Sequence, residues 1–227
     1  MGADSFNQPL NTWNTSSVTD MSRMFEQADI FNQPIDSWDV SNVTNMESMF
    51  ERAEEFNQPL NSWNVSNVTN MAKMFDGFVT DMAFNQPLDN WDVSNITNMA
   101  MMFRRAVDFN QPLNTWNVSL VTDMSYMFQS ATRFNQPLDN WNTSAVLNME
   151  YMFSSASAFN QNINSWNVTN VLNIRSMFNN AIVFNQPLNN WDVNSVVNMS
   201  SMFQRAQAFN QPLENWDVSA VANMSSM

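Results

Sequence analysis

Apolar residues return along this chain in two alternating rhythms, and the pair of rhythms repeats every 25 residues. In residues 31–55 the pattern opens with Ile35, Trp38, Val40 and Val43. The Trp-x-Val step has the two-residue period of a strand with one buried face. Met46, Met49, Phe50 and Ala53 follow at three- and four-residue steps, which predicts a short amphipathic helical segment. Thr44 stands where it would cap that segment. Phe31-Asn32-Gln33-Pro34 then returns the chain, with the proline fixing φ and forbidding further helix.

The returning segment FNQPL starts at Phe6, Phe31, Phe56, Phe84, Phe109, Phe134, Phe159, Phe184 and Phe209, with Ile for Leu in the second copy and Asn-Ile for Pro-Leu in the seventh. One spacing is 28 instead of 25, because the stretch from Asp76 to Ala83 in the third copy carries three extra residues. A single coil of this length cannot bury its own apolar face, so neighbouring coils must cover it. The predicted architecture is an α/β repeat solenoid of the leucine-rich-repeat kind, with one short parallel strand and one short helical segment per coil. It forms one unit over 1–227 with about nine repeats, the last of them truncated at Met227.

Within that frame most conspicuous residues are structural. The tryptophan column Trp13, Trp38, Trp63, Trp91, Trp116, Trp141, Trp166, Trp191 and Trp216 is expected to stack indoles inside the coil. Paired methionines such as Met46 and Met49 fill gaps beside them. The Asn-Gln pair of every return loop is expected to form a ladder of side-chain amides that satisfies backbone groups along the stack.

Composition removes most chemistry. The chain has no histidine and no cysteine, and so lacks the commonest general base, the commonest transition-metal ligand, and any thiolate nucleophile or disulfide. No cofactor and no enzymatic activity are expected. A carboxylate pair is the remaining catalytic option, but every acid on the predicted strand face occupies a repeat column and not a unique position. A formal charge of −13, with only eight Lys and Arg, argues against nucleic acid and anionic membrane as partners. No apolar run suits direct membrane insertion, and the opening MGADSFNQPL has no secretory-signal pattern.

A binding site is expected in columns that face solvent. The residues after each tryptophan, Asn14, Asp39, Asn64, Asp92, Asn117, Asn142, Asn167, Asp192 and Asp217, are the candidate ligand-binding face. Between the Leu and Val columns stand eight acids and no Lys or Arg, counting Asp36, Asp89, Asp139 and Glu214 with the four Asp above. Alternation of Asp with Asn also follows from repulsion between stacked like charges. Asp192 and Asp217, consecutive in their column, are the candidate pair for Ca²⁺, although no calcium-loop motif surrounds them. The basic residues, among them Arg23, Arg52, Lys73, Arg104, Arg105, Arg175 and Arg205, fall in the predicted helical part.

Written as LxxWxVSxVTxMxxMFxxAxxFNQP, the repeat resembles the surface-protein repeat of the BspA-like leucine-rich-repeat family, abundant in mycoplasma lipoproteins. The MF pair, for instance Met202-Phe203, together with FNQPL, Trp-Asp-Val and Val-Thr-Asn-Met, carries the resemblance over essentially the whole chain. It implies location at the cell surface or outside the cell, and adhesion to a protein or glycan on another surface. The chain itself shows no lipid-attachment cysteine. The alternative expectation is a structural element that self-associates head to tail through uncapped ends, since Trp216, Val218 and Val221 would be covered on one side only.

Overall fold

The computed structural model describes residues 3–78 and 80–227, so that Val79 of the insertion falls outside the described residues. The 25-residue units form a stack of coils, but the expected α/β leucine-rich-repeat architecture is overturned. Among the described residues there is no α-helix. Strand pairing is reduced to isolated parallel bridges between successive coils, from Asp20↔Asn45 at one end, through Asn98↔Asp123, to Asn198↔Asn223 at the other.

What replaces the helix is a ladder of β-turns. In the coil at 31–55 the N–H of Met49 donates to Met46 O (3.2 Å), that of Glu51 to Ser48 O (3.1 Å) and that of Ala53 to Phe50 O (3.0 Å). The N–H groups between them leave the coil: Met46 donates to Asn70 O, Ser48 to Ala72 O, Phe50 to Met74 O and Arg52 to Asp76 O, at 2.8–3.0 Å. Every second amide thus closes a turn and the alternate ones join the next coil, whereas in a helix all would point to i−4. Ser48 (φ 56°) and Arg52 (φ 63°) occupy the third position of their turns in the left-handed region, which is the type II arrangement. The same two positions recur as left-handed residues in most coils, at Arg23 and Gln27, at Tyr126 and Ser130, and at Ser176 and Asn180. Among the described residues none of the left-handed ones is β-branched, the class that this conformation excludes most strongly.

The inward apolar positions of this ladder are Met46, then Met49-Phe50, then Ala53, with Glu47-Ser48 and Glu51-Arg52 between them. These three- and four-residue steps are close to the helical period, which is why the pattern reads as a helix. The predicted cap at Thr44 is likewise replaced: its Oγ1 donates to Thr19 O of the preceding coil at 3.2 Å. The expected strand at Trp-x-Val is broken by a turn, with the N–H of Val43 donating to Val40 O at 2.9 Å.

One continuous apolar core runs from Leu10 to Met202. Two phenylalanine columns stack along it. Phe50 lies 4.0 Å from Phe56, centroid to centroid, and 5.5 and 5.6 Å from Phe25 and Phe75 in the flanking coils. The tryptophans from Trp38 to Trp191 are buried, Trp216 is half-buried, and Trp13 in the first coil is 54% exposed. Each indole N–H from Trp38 onward donates to the Leu or Ile carbonyl of the coil before it, as Trp116 does to Leu88 at 3.0 Å.

The amides of the return loop form a ladder. Asn110 Oδ1 accepts both the Asn135 N–H (2.9 Å) and the Gln136 side-chain amide (3.1 Å) of the next coil. The same pair of bonds recurs from Asn7 to Asn185. Where the seventh copy has Asn for Pro, Asn162 Oδ1 accepts the N–H of Asn164 (2.9 Å) and holds the bend that proline holds elsewhere.

Candidate functional site

The residues after each tryptophan are exposed in all nine coils. In every one the side-chain Oδ1 accepts the backbone N–H two residues on, forming an Asx-turn: Asn14 with Ser16, Asp39 with Ser41, Asn64 with Ser66, Asp92 with Ser94, Asn117 with Ser119, Asn142 with Ser144, Asn167 with Thr169, Asp192 with Asn194 and Asp217 with Ser219. Serine hydroxyls add a second bond to Asp39 (2.6 Å) and to Asn14 and Asn64 (2.8 Å). The hydrogen bonds from Ser41, Ser94 and Ser219 hold the carboxyls of Asp39, Asp92 and Asp217 below the usual carboxylate range. The other polar atom of each side chain has no hydrogen-bond partner among the described residues. One oxygen therefore shapes the backbone, and the remaining oxygen or amide faces water.

The column after leucine is consumed differently. The amide of Asn61 donates to Asp89 (3.0 Å), that of Asn114 to Asp139 (2.9 Å) and that of Asn189 to Glu214 (3.4 Å). The carbonyls of Asn61, Asn114, Asn164 and Asn189 accept backbone N–H groups of the next coil. Alternation of amide and acid here is a hydrogen-bonding pattern between coils as well as an avoidance of stacked charge. Among the described residues no three acidic side chains converge where they could hold a metal ion, and Asp192 and Asp217 are engaged separately in their own turns.

Three features lie outside the repeat columns that sequence reasoning weighed. At the insertion, Asp76 is fully buried, and its carboxylate accepts Arg104 Nε (2.8 Å), Arg104 Nη2 (2.6 Å) and the Phe78 N–H (2.7 Å). Burial lifts this carboxyl above its usual range, against the pull of Arg104 and the amide. The Arg104 guanidinium also sits 4.9 Å over the ring of Phe78. Gly77 is required there, because a Cβ would come within 2.1 Å of Thr80 O.

The chain's two tyrosines form the second feature. Tyr126 and Tyr151 stack at 4.8 Å, the Tyr126 hydroxyl donates to Glu150 (2.7 Å), Glu150 also accepts the Asn173 amide, and Arg175 lies 5.5 Å over the Tyr151 ring. Burial and the Glu150 carboxylate push the Tyr126 phenol above its ordinary range. The third is a change of character in the column after the second valine. It reads Thr19, Thr44, Thr69, Thr97 and Thr122, then Leu147, Leu172, Val197 and Ala222, all exposed. The break in that column was visible in the sequence; the Asp76–Arg104 pairing, which crosses the insertion, was not.

The geometry defines a regular coil-stack repeat protein with a solvent-facing array of amides and carboxylates. The chain belongs to the family described as Mycoplasma protein of unknown function, DUF285, whose model matches residues 1–80, 76–161 and 136–227. No curated protein matches the chain significantly.

Proposed function

We propose that this chain is a non-enzymatic binding module displayed at a cell surface, engaging a protein or glycan through its exposed rows of Asp and Asn. The observation that supports this reading is the column after tryptophan. Nine side chains at one position of successive coils are held by Asx-turns, each with a polar atom left to solvent. Ordering them for a ligand costs little further entropy, because the turn already restricts the side chain. Repetition at one coil spacing presents many weak contacts together, which suits a polymeric or repeating surface. Surface location rests on the resemblance to bacterial surface-protein repeats of the BspA-like kind, and the absence of histidine and cysteine agrees with a role without catalysis.

The test is a screen of the purified chain against immobilised glycans and basic proteins, with light scattering over a hundredfold concentration range. Expected is a monomer whose binding is lost when Asp192→Asn and Asp217→Asn are combined. Retention of that binding, or no binding to any member of the panel, overturns the reading. Concentration-dependent polymers abolished by Val221→Lys would point instead to head-to-tail association.

A further inference from the structure

The column that follows the second valine changes residue type without changing backbone. The N–H of each member donates to the carbonyl of the member before it at 2.8–2.9 Å, from Thr44 on Thr19 to Val197 on Leu172. In the first coils the threonine hydroxyl adds a bond to that same carbonyl, as in Thr44, Thr69, Thr97 and Thr122 at 3.2 Å. Leu147, Leu172 and Val197 forgo this bond and stand 46–50% exposed, joined by Leu120, 50% exposed, one coil earlier and two positions upstream of the column. Nothing inside the stack requires these aliphatic side chains, since the ladder is the same with threonine. Large aliphatic residues aligned in solvent mark a contact surface for another molecule.

We infer that the row Leu120, Leu147, Leu172 and Val197 docks an amphipathic α-helix of a partner protein, lying along the stack axis with basic flanks. The row adjoins the column of parallel bridges, where neighbouring backbones stand about 4.8 Å apart. An amphipathic helix offers one apolar side chain every three or four residues, or about 5.2 Å of rise. One helix turn therefore meets one coil, and the two periods drift by only about 1 Å over the three steps from Leu120 to Val197. An extended strand would present same-face side chains about 6.6 Å apart and lose this register within two coils.

Charge selects the flanks. From the leucine column to the bridge column in the four coils that carry the row, the charged residues are Asp123, Asp139 and Asp192, and none is basic. A helix with Lys or Arg beside its apolar stripe is attracted, and one with Glu is repelled. The proposal does not depend on the Asx-turn column being a ligand site.

The probe is a synthetic 18-residue helix with leucines at i, i+3/i+4 and i+7 spacing and lysines flanking them. It is titrated into the full chain with tryptophan fluorescence and calorimetry as readouts. Controls are a scrambled peptide, a Glu-flanked peptide and phosphatidylcholine vesicles. The competing variant is the triple substitution Leu147→Thr, Leu172→Thr and Val197→Thr, which installs the residue that the first five coils carry there and so preserves the fold. Saturable binding that weakens at least tenfold in the triple variant, and at least tenfold for the Glu-flanked peptide, is expected. Equal binding by the triple variant or by the scrambled peptide overturns the proposal. So does vesicle binding in place of peptide binding, or a wild-type dimer that the triple variant turns to monomer, which would assign the row to a membrane or to a second copy.

Discussion

Replacing Phe103 with alanine removes a ring that touches four others. Its centroid lies 4.1 Å from Phe109, 5.7 Å from both Phe75 and Phe128 in the coils on either side, and 6.3 Å from Trp116. Phe103 is fully buried, and truncating such a phenylalanine costs about 3–5 kcal/mol in lost transfer energy and residual cavity. The equivalent ring near the end of the stack, Phe203, is only half-buried and has one flanking phenylalanine in place of two, Phe178 at 5.8 Å. If each coil is stabilised only by its neighbours, Phe203→Ala should cost about half as much, roughly 1.5–2.5 kcal/mol. The gap of about 2 kcal/mol is more than tenfold in the folding equilibrium, well within reach of urea denaturation followed by tryptophan fluorescence. A lesion in the middle also weakens the interface to both halves, so Phe103→Ala should lower the apparent m-value as the two segments begin to unfold separately. Equal losses in the two variants, with an unchanged m-value, would refute nearest-neighbour coupling.

Three further outcomes follow from the geometry. Ser176 has φ 52°, so Ser176→Val should lose about 1–2 kcal/mol, whereas Ser176→Gly should match or exceed the parent in thermal melts; equal melting of the two would contradict the left-handed assignment. Asn110→Leu leaves the Asn135 N–H without its acceptor and should cost about 1–3 kcal/mol, with faster hydrogen exchange at Asn135 as the local readout. Hydrogen bonds lower the carboxyl pKa of Asp20, Asp39, Asp92 and Asp217 from 3.8, so their stabilisation is full above about pH 4 and is lost as pH falls below it. The melting temperature should therefore drop in acid, and combining Asp39→Asn, Asp92→Asn and Asp217→Asn should flatten that drop, since the amides keep the turns without titrating.

What could be read in advance was whatever belongs to a column. The 25-residue period, the buried tryptophans and the amide ladder are each stated nine or nearly nine times in the chain, and each survives in the structure at positions such as Trp116 and Asn110. The secondary structure was misread because Met46, Met49, Phe50 and Ala53 face inward at a spacing that turns and helices share. Glycine would have announced the left-handed positions, yet Ser48 and Arg52 stand there instead, held by the ladder of bonds to the next coil. The Asx-turns were legible in principle, because Asp39-Val40-Ser41 places a short acceptor two residues before a serine amide. The Asp76–Arg104 pair depends on where a three-residue insertion folds, and no periodicity carries that information.

That insertion has a consequence for how such a chain can change. On one side of it the Gly77 N–H still reaches Arg104 O (2.8 Å), and on the other the Met82 N–H reaches Arg105 O (3.1 Å), so the stack closes around the extra residues without losing register. The corner after the turn ladder is therefore a port at which new sequence can enter while the neighbouring coils keep their pairing. Foreign loops grafted between Gly77 and Met82 should be displayed at a fixed height on the stack, and the same corner in other coils offers a series of such ports, one coil apart.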